Sequence, residues 1–214
     1  MPPRPFPYPL KIGTDICSIQ RIQSILTANV RRECEGSKSR EPLKRFLSKI
    51  FTYPECQFFY DRFGPVEAAY NNIGQVSQYL AGRWAAKEAC RKACGHLGKS
   101  NGLHSIMILP SNSSSQQKGG PQGLILRHRL PSRPPHPSDA TSSSTELERT
   151  VFNIEDVEGQ FCEVSITHDG QYAQAVALVP SVPKEWWQAS SNAAADVESK
   201  LNTGNTSMDP SGVE

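Results

Sequence analysis

Apolar and polar positions follow two rhythms in this chain, one of period two and one of helical period, and the changes between them mark its elements. Residues 10–19, LKIGTDICSI, form an apolar run with β-branched Ile12, Thr14 and Ile16 alternating, which predicts a strand. Residues 19–29 carry Ile19, Ile22, Ile25 and Leu26 at helical spacing. A polar, charged stretch over 31–41 predicts a loop. The run 43–51, LKRFLSKIF, predicts a second helix with Leu43, Phe46, Leu47, Ile50 and Phe51 on one side. Thr52-Tyr53-Pro54-Glu55 is a capping-box pattern with proline in the first turn, so a third helix is expected over 54–63, stopped by Gly64-Pro65. Residues 67–72 join it to a long helix that begins near residue 73. The end of that helix, YLAGRWAAKEACRKACG over 79–95, has no proline, is rich in Ala, Lys, Arg and Glu, and closes on Gly95.

Beyond Gly95 the period returns to two. Strands are expected over 103–109 and 123–128, and over 163–168 and 171–179, the last pair joined by Asp169-Gly170, a strong hairpin signal. Residues 151–156 read either as a short strand or as the frame of an insertion. That insertion, about 111–150, is rich in Ser, Pro and Gly and is expected to be disordered, with no means of burying a core. Residues 1–9 alternate proline with other residues and should be an extended lead-in to a domain spanning 10–180. The tail, 181–214, loses all pattern except Trp186 and Trp187, which could dock on the body. The elements together predict an α+β fold, a small antiparallel sheet packed on one long helix with shorter helices beside it.

Composition narrows this reading. A length of 214 residues suits one domain with tails or at most two small ones. The hydrophobic share of 37% is low because the insertion and tail dilute it. A net charge of +2, with no basic block interleaved with aromatics, argues against nucleic acid as a partner. Six cysteines are scattered without a CxxC pair; Cys90 and Cys94 are one helical turn apart, but no histidine pair completes a metal site. Small, buried, reduced cysteines and an intracellular compartment are the expectation. No apolar run is long enough to cross a membrane and no secretory core is present, while the proline-rich start makes a poor amphipathic transit helix.

On the long helix, Trp84, Glu88 and Lys92 form one row and Arg83 and Lys87 a neighbouring one. A carboxylate one turn from an ammonium, beside further cations, suits a polyphosphate bound through a divalent metal, with Glu88 on the metal. Taken on its own, the pair reads first as a surface ion pair, a common feature worth about a few tenths of a kcal/mol. Asp15 points to the face opposite Ile12, Thr14 and Ile16, beside Cys17. An acid there is costly unless it is paired or on a metal; alternatively it caps the following helix, from rather far upstream.

Four segments in order resemble the phosphopantetheinyl transferases, and among them the short holo-acyl-carrier-protein synthase type. IGTDICSIQRI (12–22) is similar to that family's opening strand with its metal-binding Asp. FLSKIFTYPE (46–55) is similar to the helix leading to F-T-x-x-E. LAGRWAAKEACRKACG (80–95) resembles the signature helix with W/F-x-A-K-E-A-x-x-K, the most specific of the four. VSITHDGQYA (164–173) resembles the closing S-x-S-H-D hairpin. Two positions depart from the pattern. Ser18 stands where many relatives have a second acid, and Thr167 replaces the second serine of the hairpin motif while keeping a hydroxyl.

The resemblance implies a half-size transferase unit that moves the 4′-phosphopantetheine arm of coenzyme A to a serine of an apo acyl carrier protein. Adenosine 3′,5′-bisphosphate is released and the product supports fatty-acid synthesis. It implies Mg²⁺ on Asp15 and Glu88, Lys92 over the pyrophosphate as a catalytic and coenzyme-binding group, and His168 on a coenzyme A phosphate. Arg83 and Lys87 are expected as supporting or coenzyme contacts, and Arg21 as a contact to the carrier protein. The general base stays open between Glu88 and a water on the metal. Relatives of this length point to a homotrimer with active sites between subunits. A mitochondrial or a cytoplasmic location fits, the Pro- and Ser-rich insertion suggesting a eukaryotic chain. Two other readings compete: a scaffold that binds carrier protein without catalysis, and a structural domain whose charged helix is a solvated face. The scaffold needs none of Asp15, Glu88, Lys92 and His168, and the structural domain leaves Asp15 in an apolar strand unexplained.

Overall fold

The computed structural model describes residues 8–28, 42–95, 102–110, 120–132 and 152–181. The start of the lead-in, the loop expected over 31–41, most of the insertion, and the tail with Trp186 and Trp187 lie outside the described residues.

The architecture is α+β. Strand β1 (Leu10–Ser18) runs into helix α1 (Ile19–Thr27). Three short helices follow, α2 (Pro42–Ile50), α3 (Tyr53–Phe63) and α4 (Val66–Asn71), and then the 21-residue helix α5 (Ile73–Ala93). Strands β2 (Ile106–Leu109), β3 (Gln122–Leu126), β4 (Gly159–Asp169) and β5 (Tyr172–Pro180) form an antiparallel meander. Strand β1 closes the order β1-β5-β4-β3-β2 by pairing with β5 from Leu10↔Pro180 to Ser18↔Tyr172. The hairpin between β4 and β5 turns at Gly170, whose φ of +54° is the left-handed conformation that favours glycine.

One face of the sheet lies on α5, and the residues there are small. Ala173, Ala175 and Ala177 of β5 meet a helix whose buried side includes Ala81, Ala85, Ala86, Ala89 and Ala93. Small side chains on both surfaces let helix and sheet approach closely. The approach is tightest at Gly13, where an added Cβ would collide with the Ala89 carbonyl oxygen and press on the Ala93 amide. The opposite face of β1, β5 and β4 leaves Ile12, Ile16, Phe161, Tyr172 and Val176 exposed. The β-branched stripe of β1 therefore faces outward, and Gly13, Asp15 and Cys17 face the helix.

The helices pack by their apolar sides as their spacing predicts. Leu43, Phe46, Leu47, Ile50 and Phe51 are all buried, and Phe46 stacks on Trp84 with ring centroids 5.9 Å apart. In α1 only Ile22 and Leu26 are buried, while Ile25 is exposed. Five cysteines in the described residues are free thiols, four of them buried. Burial pushes the Cys17 thiol up and Cys56 up to about 12.

Local differences from the sequence pattern have local causes. The stretch 67–72, read as a connection, lies mostly in α4, with Asn72 as its C-cap. The run 103–109 begins as a 3₁₀ turn, Leu103–Ser105, because the Ser105 amide bonds back to the Gly102 carbonyl and the Leu103 carbonyl accepts from Lys87. Residues 151–156 contain a 3₁₀ turn, Ile154–Asp156, capped by the Asn153 side chain, rather than a strand.

Candidate active site

Asp15 reaches α5 because β1 crosses that helix almost backbone to backbone at Gly13. Its carboxylate accepts a 2.8 Å hydrogen bond from Lys92 Nζ, which also donates to the Thr14 carbonyl at 2.9 Å. Asp15 does not cap α1; Ser18 does, its Oγ accepting from the Arg21 amide at 3.2 Å. Ser18 is thus used for the start of a helix.

Glu88 lies one turn before Lys92 on α5. Its Oε2 accepts from Arg91 Nε at 2.9 Å and is 2.7 Å from Arg91 Nη2. The two carboxylates are largely covered, 16% exposed for Asp15 and 15% for Glu88, whereas Lys92 and Arg91 are about half exposed. Both acids are therefore held beside cations whose stems reach solvent. Among the described residues no group of three or more His, Cys, Asp and Glu is placed to hold a metal. Two carboxylates nonetheless match the needs of Mg²⁺, which takes one or two of them and completes its shell with waters and substrate phosphates.

His168 and Arg83 lie further toward the start of α5. His168 Nε2 is 3.2 Å from the Gln78 carbonyl, and its ring sits where a side chain at Gly82 would be. Gly82 and Glu88 are six residues apart, roughly 9 Å along the helix axis. His168 thus packs on α5 before Glu88, on the side of the helix that holds Gln78 and Gly82. Arg83 lies over the Tyr79 ring at 5.0 Å and donates to the carbonyls of Ile108 and Leu109.

Lys87 corrects an expectation. It is fully buried and donates to the Glu55 carboxylate at 2.6 Å and to the carbonyls of Ile50 and Leu103. Its three N–H bonds are spent inside the core, so it is a strut and not a surface contact for coenzyme A. Desolvation lowers its pKa from the ordinary lysine value, and Glu55 opposes that shift. Glu55, the capping-box acid of α3, is equally satisfied: Oε2 also accepts from the Thr52 amide and hydroxyl, and Oε1 from the Ile108 amide. One buried carboxylate thus ties α3, α5 and β2 together. The helical spacing of Lys87 did not distinguish this position from an exposed one.

Arg21 stands at a groove of about 360 Å³ between α1, α2 and α5, lined by Ile22, Ile25, Phe46 and Trp84 with Arg45 and Lys49 on its margin. Its guanidinium lies 5.9 Å from the Trp84 ring and 3.6 Å from Cys17 Sγ. Arg45 and Lys49 were not singled out in the sequence, although their i, i+4 spacing on the polar side of α2 was visible there.

Two carboxylates, each beside a cation from the last turn of α5, lie where a strand crosses that helix. Comparison with known proteins gives the chain a family. Residues 11–134 match the family model described as the 4′-phosphopantetheinyl transferase superfamily. A holo-[acyl-carrier-protein] synthase of Sulfurimonas denitrificans is 30% identical over 79% of this chain and 94% of its own length. A protein of Aspergillus fumigatus named 4′-phosphopantetheinyl transferase B, mitochondrial, is 28% identical over 81% of this chain and 95% of its own. Among solved structures, a Plasmodium yoelii holo-ACP synthase aligns over 81% of this chain and 95% of its own, with TM-score 0.43 and 18% identity. The chain belongs to the 4′-phosphopantetheinyl transferase superfamily, in its short holo-acyl-carrier-protein synthase type. The reaction of that family is transfer of the phosphopantetheine arm of coenzyme A to apo acyl carrier protein, and this protein is such a transferase.

Proposed function

We propose that this transferase works with Mg²⁺ held by Asp15 and Glu88, places Lys92 at the coenzyme A pyrophosphate, and receives the carrier protein at Arg21. The observation that carries the reading is the link from Lys92 to Asp15 at 2.8 Å, one turn from Glu88. It brings the Asp15 carboxylate from β1 to the turn of α5 that follows Glu88. When bound, the metal supplies positive charge that polarises the attacked phosphorus and stabilises the leaving group.

The chain's own groups account for the rest. The serine hydroxyl of the carrier attacks the phosphorus bearing the pantetheine arm, and the bond to the bridging oxygen breaks. That oxygen leaves on adenosine 3′,5′-bisphosphate, with Lys92 compensating its charge or protonating it. The serine proton passes to Glu88 or to water. Arg21, Arg45 and Lys49 around an apolar groove suit an acidic amphipathic helix, with charges steering the encounter and Ile25 and Trp84 giving contact area.

A homotrimer with shared active sites fits two observations. The apolar stripe of Ile12, Ile16, Phe161, Tyr172 and Val176 is unusually exposed for a sheet face. The offset of His168 from Glu88 along α5 is bridged if His168 and Arg83 of one subunit complete the coenzyme site of the next. Sedimentation equilibrium returning the mass of a single chain would overturn the trimer. The name of the Aspergillus relative supports a mitochondrial location; a fluorescent fusion of the full chain that stays in the cytosol would exclude it.

The central experiment weighs a carrier protein after incubation with enzyme, coenzyme A and Mg²⁺. A phosphopantetheine mass gain is expected, abolished by chelator and by Glu88→Gln. A gain that persists undiminished with chelator would falsify the metal assignment.

A further inference from the structure

Arg91 enters none of the roles above, yet it holds a residue on which the reaction depends. Both Nε and Nη2 of its guanidinium converge on Glu88 Oε2. The next residue, Lys92, is committed to Asp15, so each carboxylate of the candidate metal pair has its own cation from the last turn of α5. The two cations have different chemistry. Lys92 joins separate elements, whereas Arg91 closes an i, i+3 pair on one helix surface, a weak class of interaction. With half of its side chain exposed, Arg91 can swing into solvent once another cation stands at Glu88. The largely covered Glu88 stays in place on the helix.

A divalent cation on Glu88 changes that balance. It competes for the same carboxylate and brings two positive charges against the guanidinium at contact distance. We propose that Arg91 is an exchangeable counter-ion of Glu88: it holds the carboxylate in the metal-free protein and leaves it when a divalent cation binds. The inference rests on the reading of Glu88 as a metal ligand. The guanidinium keeps the carboxylate ordered before metal arrives, and it lowers metal affinity in doing so.

The test measures metal binding directly on the full chain, without the transfer reaction. Mn²⁺ affinity is read by electron paramagnetic resonance for the wild type, Arg91→Gln and Glu88→Gln. In parallel, the Arg91 Nε–H resonance of the wild type is followed during Mg²⁺ titration. Arg91→Gln is expected to tighten Mn²⁺ binding roughly two- to fivefold, the range of a partly exposed ion pair. The Nε–H resonance should move to the position of a solvated guanidinium and exchange faster as Mg²⁺ saturates. Unchanged or weaker Mn²⁺ binding by Arg91→Gln overturns the proposal, as does a resonance that stays fixed at saturating Mg²⁺. Glu88→Gln separates the two levels: if it binds Mn²⁺ as the wild type does, the metal assignment itself has failed.

Discussion

The ammonium of Lys92 lies 2.8 Å from the Asp15 carboxylate, joining α5 to β1 across 77 positions of sequence. Lys92 is half exposed, so the contact adds little to stability and its value is in placing charge. Replacing Lys92 by Ala should lower the transfer rate by about 10²- to 10⁴-fold, the range of a lost acid or electrostatic group. The thermal midpoint should fall modestly, because the largely covered Asp15 loses its partner. Steady-state kinetics on a defined carrier protein checks this, and a rate within a few-fold of wild type would remove Lys92 from the chemistry.

Gly13 is a second pressure point. A methyl group there meets the Ala89 carbonyl and the Ala93 amide, both backbone atoms that cannot turn aside. Gly13→Ala should destabilise the protein by about 1–3 kcal/mol or more through overpacking. It should also impair transfer, because Asp15 is carried on the displaced strand. Urea unfolding together with the mass assay tests both, and an unchanged midpoint would mean that β1 lies further from α5.

For Lys87 the expected loss is of stability. Lys87→Met leaves Glu55 charged and buried, which costs about 3–5 kcal/mol in comparable broken pairs. Lys87→Met combined with Glu55→Gln should recover part of that loss. A stable Lys87→Met enzyme with only a raised KM for coenzyme A would show instead that the ammonium faces the ligand.

His104 gives stability a pH dependence. Burial, and then the charges of Lys87 and Arg129, lower its pKa in the folded protein, while Glu55 and the Ser48 backbone act in the other direction. The unfolded chain, with a value of about 6.5, therefore takes up the proton first as pH falls. Stability from this group is complete above that value and is lost below it, until folded His104 also protonates. The slope is at most about 1.4 kcal/mol per pH unit. Urea midpoints measured from about pH 8 to about pH 5 should fall less steeply in His104→Gln; equal slopes would refute the assignment.

Arg21 tests the carrier surface. Arg21→Glu should raise the KM for carrier protein by roughly tenfold at low salt and leave the KM for coenzyme A near its original value. The difference should shrink as salt screens the charges. An equal rise in both KM values would place Arg21 at the coenzyme instead.

Much of the fold was legible from local pattern. The apolar side of α2 is buried at Leu43, Phe46, Leu47 and Ile50, as is Phe51 just beyond it, and the Asp169-Gly170 turn joins β4 and β5. The capping-box acid Glu55 was read correctly as the start of α3, but its burial and its bond to Lys87 were not. Propensity and capping act within a few residues, so they are written in adjacent letters. Which side of β1 faces α5 was not legible in the same way, since Ile12 and Ile16 are the more apolar stripe and yet lie outside.

The order of Asp15, Arg21, Glu88, Lys92 and His168 along the chain, and the family to which they point, were determined by the sequence alone, because motif spacing on a strand, a helix and a hairpin is a local property. Only the tertiary structure decided that Lys87 is a core strut, that Lys92 is bound to Asp15, and that Arg91 holds Glu88. It also set His168 against Gln78 and Gly82, toward the start of α5. The reason is physical: two lysines on one helix carry the same charge, and their roles diverge only when packing places one against a buried acid and the other at an edge open to solvent.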